Sequence, residues 1–213
     1  MKKITIIVPH GDDEVLGFGG SINKHRRQGD QVDVIFTKAP YDSRSILQTT
    51  NITAASDILN YKVHSLNILP EHSSSFTIET LNSIETILIK LKPDILYVPH
   101  PEDTHQDHLL IFQMVKIATR INGPAPVPTI LCGEIISSTE MSIKSRFNPN
   151  YYNSLEAEDL IQKQKAMKVY SQEIRKYPHA RSLEGIEIYA RKRGLEISSV
   201  YAEAFECLRH INF

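Results

Sequence analysis

Residues 4–8 (I-T-I-I-V) form an unbroken, largely β-branched run with no apolar–polar alternation. A strand of that kind needs cover on both faces, which confines the chain to a sheet layered between helices and favours parallel pairing. Residues 16–27 read as the helix that follows and residues 32–37 (V-D-V-I-F-T) as the next strand, so the chain opens with a βαβ unit. The pattern continues with a helix over 45–59 ending at Asn60, a strand over 62–69, a helix over 78–91 stopped by Lys92-Pro93, and a buried strand over 95–98. A helix over 108–120, a proline-rich loop over 122–128 and a strand over 129–132 come next. Residues 137–155 are polar and turn-rich and are expected to be a mobile or substrate-covering stretch. Helices are expected over 157–170 and over 183–193, the latter capped by Gly194, with 201–205 and the C-terminal residues returning to the body of the fold. There is no internal repeat or low-complexity segment, and 213 residues fit one α/β domain.

Composition removes several classes of function. The formal charge is -1, so nothing in bulk recruits nucleic acid or an anionic membrane. The basic cluster Lys24, His25, Arg26, Arg27 precedes Gly29 and reads as a solvated last helical turn placed well against the helix dipole. Cys132 and Cys207 lie far apart and form no disulfide framework, which suits a reducing compartment. The N-terminal apolar run is too short for a signal peptide, and no segment approaches the roughly 20 apolar residues that span a bilayer. A cytoplasmic protein without a transmembrane segment is the expectation.

Two polar knots follow the two buried runs. The first is His10-Gly11-Asp12-Asp13-Glu14, and the second extends from His100 to His108 as H-P-E-D-T-H-Q-D-H. Both fall at carboxyl ends of expected strands, the edge where open parallel sheets place their sites. Three carboxylates crowded beside an imidazole repel one another unless solvated, protonated or bound to a cation. Imidazole and carboxylate together suit a borderline-soft divalent ion. His10, Asp13 and His108 supply the three protein ligands of a catalytic zinc site that keeps one position open. Zinc comes first, with iron or manganese behind it. Glu14 would close the open position, so it is expected to orient a neighbour or meet the backbone. Asp12 is the spare carboxylate and the general-base candidate, and His105 the donor for charge developing opposite the metal, held by Asp107 or Asp103.

Taken singly, each residue has an ordinary role. His10 suits a strand end bonded to backbone, Asp12 or Asp13 a helix N-cap, Glu14 a first helical turn, and Gly19-Gly20 close packing of helix on sheet. The argument for an enzyme is that both knots share one sheet edge.

On these motifs the chain resembles the PIG-L or LmbE-like family of metal-dependent N-deacetylases, known for H-P-D-D-E and a later H-x-D-H, here His10 to Glu14 and His105-Gln106-Asp107-His108. The tail is also similar to the sugar-related branch, through Phe147-Asn148-Pro149-Asn150, Tyr170-Ser171-Gln172, Arg181-Ser182, Arg193-Gly194 and Ala202-Glu203-Ala204-Phe205. The resemblance implies one PIG-L/LmbE-like domain over residues 1–213, an α/β Rossmann-like three-layer sandwich with a mostly parallel central sheet. It implies zinc held by His10, Asp13 and His108, Asp12 as general base, and His105 assisting with Asp107 behind it. Self-association into a homo-oligomer is a further implication. Two departures stand out: Gly11 replaces the family proline, relaxing the turn that aims Asp12 and Asp13, and the second helix lacks the family's R-x-x-E register.

The expected function is hydrolysis of the acetamide of an N-acetylated amino sugar of the N-acetylglucosamine type, or a conjugate of it, releasing acetate. Tyr151, Tyr152, Arg146 and Arg181 are weak candidates for sugar contacts. The competing readings are a non-catalytic sugar-binding protein on a deacetylase scaffold and a metal-dependent phosphoesterase. The single compact ligand set disfavours the latter, which generally leans on a second metal or extra cationic clamps.

Overall fold

The computed structural model describes residues 1–38, 44–69, 77–143 and 147–212, without the side chains of 44–46 and 67–69. Its centre is a seven-stranded sheet in the order β3-β2-β1-β4-β5-β7-β6. The strands are β1 (Lys3–Val8), β2 (Gln31–Lys38), β3 (Lys62–Leu69), β4 (Ile95–Pro99), β5 (Thr129–Gly133), β6 (Tyr151–Leu155) and β7 (Tyr201–His210). The first five run parallel; β7 is antiparallel to both β5 and β6. The helices are α1 (Asp13–Arg27), α2 (Arg44–Leu59), α3 (Ile78–Leu91), α4 (Gln106–Ala118), α5 (Ala157–Val169) and α6 (Leu183–Leu195).

The buried runs behave as their composition requires. Ile4, Ile6 and Val8 of β1 join Val32, Val34 and Phe36 of β2 in a core shared with α1, α2, α5 and α6. Ile7 and Ile35 point the other way, into a core with Leu96, Val98 and the apolar residues of α3 and α4. Alternate side chains thus feed two separate cores, and the fold is the three-layer α/β sandwich that a doubly covered parallel sheet demands. Among the described residues no helix is long and apolar enough to cross a membrane.

Several boundaries differ from the sequence expectation. Residues 151–155 inside the polar stretch form the edge strand β6, paired with β7 from Tyr151↔Phe205 to Leu155↔Tyr201. The C-terminal residues therefore insert β7 between β5 and β6. Gly194 lies within α6 rather than capping it: the cap is Glu196, and a Cβ on Gly194 would stand 2.6 Å from the Ser199 carbonyl oxygen. The end of α1 is not merely solvated. His25 is buried, with Nδ1 2.9 Å from Asp30 Oδ2 and Nε2 3.0 Å from the Tyr97 hydroxyl, while Arg27 pairs with Asp159 at 3.1 Å.

The glycines of α1 serve close packing. A Cβ on Gly17 would meet Ile135 Cδ1 at 2.6 Å, one on Gly19 would meet Lys163 Cγ at 2.9 Å, and one on Gly20 would meet Leu155 Cδ1 at 2.5 Å. This lets α1, which carries the first polar knot, sit directly on α5 and the β6–β7 edge.

Candidate metal centre

Chain order reverses between β1 and β4: β2 and β3 lie to one side of β1, and β4 and β5 to the other. β1 pairs with β4 through Ile4↔Ile95, Thr5↔Leu96 and Ile6↔Tyr97, so the segments leaving their carboxyl ends emerge side by side. A ligand crevice opens at such a switch point. His10 and Asp13 from the first knot meet His108 from the second there.

Asp13 Oδ2 lies 3.1 Å from His10 Nδ1 and 3.2 Å from His108 Nε2. His10 Nε2 lies 2.8 Å from Asp107 Oδ2, which also accepts from Lys38 Nζ at 2.6 Å. His108 Nδ1 stands 3.1 Å from Asp103 Oδ1, an ion pair on the side of the ring away from Asp13. One ring nitrogen each from His10, His105 and His108 falls within 4.8 Å of the others.

The electrostatics follow from this crowding. Burial acts against protonation of His10 and His108, yet the carboxylates beside them win. His10 is raised to about 9 by Asp107 and Asp13, and His108 to about 10 by Asp13 and Asp103. Burial pushes the Asp13 carboxyl up, but His108 and His10 outweigh it and hold it well below the usual carboxylate range. The donor set, two imidazoles with His10 Nδ1 and His108 Nε2 turned to one oxygen of the Asp13 carboxylate, fits a borderline-soft divalent ion.

Asp12 occupies the N-cap position of α1, but its side chain makes no capping bond. Its φ is 104°, in the left-handed region that non-glycine residues rarely enter. The conformation is held from both sides. Its carbonyl accepts from the N–H groups of Val15 and Leu16, and its own N–H donates to Glu14 Oε2 at 2.9 Å. Glu14 is fully buried and its other oxygen accepts from the hydroxyls of Tyr170 at 2.7 Å and Tyr61 at 3.0 Å. Burial raises Glu14 to about 7 against those bonds. Glu14 therefore faces away from the His10–His108 cluster and meets the backbone. The strained turn frees the Asp12 carboxyl, which burial and then Asp13 push well above its ordinary value while Arg181, 3.1 Å away, opposes them.

His105 is the N-cap of α4. Its Nδ1 accepts the Asp107 N–H at 3.2 Å, which puts the proton of the neutral ring on Nε2. Burial, then the charges on His10 and His108, lower its pKa. Neither expected carboxylate reaches the ring: Asp107 Oδ2 is 3.9 Å from Nδ1, and Asp103 Oδ1 accepts from the His105 backbone N–H instead. Asp107 is held well below the usual carboxylate range by His10 and Lys38 despite burial.

Other expectations land elsewhere. Tyr151 packs toward Phe205, with ring centroids 6.4 Å apart, and Tyr152 donates to the Pro149 carbonyl, so both belong to the sheet edge. Arg146 lies outside the described residues. The sequence reading passed over Lys38, Tyr61, Ser137 and Glu173; only Lys38 carried a usable signal, as a lone cation at the carboxyl end of β2.

Gly11 also changes meaning. A Cβ there would meet Ile52 Cγ1 at 2.8 Å and Tyr170 Cε1 at 3.3 Å, so α2 and the end of α5 occupy the space a proline ring would need. The turn that aims Asp12 is held by packing from outside.

The chain is similar over 97% of its length to N,N'-diacetylchitobiose deacetylase from Pyrococcus horikoshii, with 21% identity, TM-score 0.75 and 84% of that chain covered. It is also similar to the A40926 pseudoaglycone deacetylase Dbv21, with 18% identity, TM-score 0.80, and 100% and 99% of the two chains covered. The 4-carboxy-2-hydroxymuconate hydratase GalB of Pseudomonas putida KT2440 matches as well, with 16% identity, TM-score 0.74, and 100% and 98% covered. Two kinds of chemistry thus share this fold, and the fold alone does not select between them. The profile described as PIG-L: GlcNAc-PI de-N-acetylase matches residues 5–119, more than half of the chain and both polar knots, and on that match the protein belongs to the PIG-L family.

Proposed function

We propose that this protein is a metal-dependent N-deacetylase that hydrolyses the acetamide of an N-acetylated amino sugar or its conjugate, releasing acetate and the free amine. The observation that supports it most directly is the meeting of His10, Asp13 and His108 around one carboxylate oxygen, with the uncapped Asp12 carboxyl beside them. His10, Asp13 and His108 would hold the ion, zinc by the chemistry of the donors, and a cation there supplies Lewis acidity to the scissile carbonyl and to water. Asp12 takes the proton of the attacking water. Its raised pKa suits a base that must afterwards return the proton. His105, whose Nδ1 accepts from the Asp107 N–H and whose neutral ring therefore carries its proton on Nε2, is the donor to the oxyanion or the departing amine, and Lys38 holds the Asp107 carboxylate on His10. One continuous sheet joins β1 and β4, which carry the two knots, to the C-terminal β7 and β6, so the proposed catalytic unit is a single domain over residues 1–213.

Acetate release from N,N'-diacetylchitobiose and from free, nucleotide-linked and inositol-linked N-acetylglucosamine tests this reading. The zinc-loaded wild type is expected to release acetate from at least one of them, and Asp12→Asn and His108→Ala are expected to lose release by about 10² or more. A fully metallated wild type silent on this panel and on a wider acyl panel would leave a binding protein on a deacetylase scaffold. Phosphate release from phosphoesters by a protein binding two metals per chain would replace the amide reading outright.

A further inference from the structure

Arg181 comes from the segment between α5 and α6, beyond the residues that the family profile covers, yet it reaches into the crevice. Its Nη1 donates to Asp12 Oδ2 at 3.1 Å and to Glu173 Oε2 at 3.0 Å, and its Nε donates to Ser137 Oγ at 2.6 Å. Three anchors from different parts of the chain thus hold one guanidinium, whose planar fork then has little freedom. Asp12 is held differently at its two carboxylate oxygens. Oδ2 is taken by Arg181, whereas Oδ1 makes no hydrogen bond among the described residues and is not sealed off as an orphaned buried atom. The backbone of Asp12 is fixed independently through Glu14, which leaves the χ1 and χ2 torsions of its side chain, and the Arg181 contact restrains them.

We infer that Arg181 is a positioning residue for Asp12: it pins Oδ2 and leaves Oδ1 as the oxygen that accepts the proton from water. This rests on the deacetylase reading above. It assigns Arg181 to the base, not to the sugar, and makes Ser137 and Glu173 the supports that aim it.

The test uses the full chain with Arg181→Met, Arg181→Lys, Asp12→Asn and the double variant Asp12→Asn/Arg181→Met. On whichever probe the wild type deacetylates, Arg181→Met is expected to lower kcat by about 10²-fold with KM within about threefold. Arg181→Lys, which keeps a cation on Oδ2, recovers roughly tenfold of that loss. The double variant is no slower than Asp12→Asn alone, because a residue acting through Asp12 has nothing left to act on. Zinc affinity by competition with a chromophoric chelator stays unchanged in Arg181→Met. A raised KM at constant kcat would make Arg181 a substrate contact and overturn the inference. So would an additive loss in the double variant.

Hydrogen exchange supplies a readout that needs no substrate. Asp12→Ala, which removes both acceptor oxygens where Asp12→Asn keeps one, is expected to speed amide exchange over residues 173–182, and Arg181→Met to speed it over 12–14. Reciprocal exchange changes in a protein that deacetylates nothing would sink the deacetylase reading while keeping the tie. Absence of both changes would sink the tie itself, whatever the activity.

Discussion

Replacing Lys163 by Met should destabilise the fold far more than the loss of one hydrogen bond. The Lys163 side chain is 4% exposed and its ammonium lies 2.6 Å from Glu203 Oε1, itself on a side chain 7% exposed, and also donates to the Leu16 carbonyl at 2.8 Å. Glu203 additionally accepts from two consecutive backbone N–H groups in the middle of α1, Gly20 at 2.9 Å and Ser21 at 2.7 Å. One ion pair therefore joins α1, α5 and β7 at the place where the glycines of α1 let them approach. Removing either charge strands the other in a site closed to water, which costs about 3–5 kcal/mol. Removing both, in Lys163→Met/Glu203→Met, leaves no buried charge and forfeits the hydrogen bonds to Leu16, Gly20 and Ser21, about 1 kcal/mol each, losses that the single variants share in part on top of a stranded charge. The double variant should thus be more stable than either single one. Equilibrium urea unfolding of the wild type, Lys163→Met, Glu203→Met and the double variant at pH 7 with chelator present reads this directly. Additive losses, or a single-variant loss below about 1 kcal/mol, would refute the claim that the pair is desolvated.

Two further outcomes follow from the site. Gly11→Ala places a methyl 2.8 Å from Ile52 Cγ1 and is expected to cost about 1–3 kcal/mol in urea unfolding, and Ile52→Ala, which removes that carbon, is expected to cost less in the Gly11→Ala chain than in the wild type; an unchanged midpoint would show that Ile52 does not brace the turn. Zinc uptake should release protons: His10 and His108 are raised to about 9 and about 10, so both are cationic in the metal-free protein at pH 7 and must lose their protons to ligate. Apparent zinc affinity should therefore rise about tenfold per displaced proton for each pH unit between 6.5 and 8.5, and a pH-independent affinity would remove these two imidazoles from the ligand set. The sign for stability is the opposite. The ion pairs of raised histidines stabilise the metal-free fold below about pH 6.5, and that stabilisation is lost as pH rises through 9 to 10.

Much of the layout was legible in local sequence because it depends on local causes. The run at residues 4–8 must be covered on both faces wherever it lies, and Thr77, bonded to the Thr80 N–H at 3.1 Å, starts α3 through its own side chain. The two motifs likewise carry their chemistry in short segments, and Asp12-Asp13-Glu14 separates three carboxylates by roles that the turn itself imposes. His25 and residues 151–155 were misread for the converse reason. His25 belongs to a basic run but is buried against Tyr97, seventy-two positions away, and 151–155 is a strand only because β7 pairs with it. Propensity over a few residues holds no information about a partner that arrives from another part of the chain.

By itself, the sequence determined the strand and helix order as far as β5, the two polar knots and their position at strand ends, through periodicity, β-branching and motif spacing. Tertiary structure alone decided that β1 and β4 are neighbours, bringing His10 within reach of Asp107 and His108 across about a hundred residues. It also decided that Asp107 binds His10 and Lys38 rather than the His105 ring, that Ile52 fills the place of the family proline, and that Arg181 closes on Asp12. The physical reason is that burial and hydrogen-bond pairing are settled between surfaces, and which surfaces meet depends on the packing of the whole sheet and its helices.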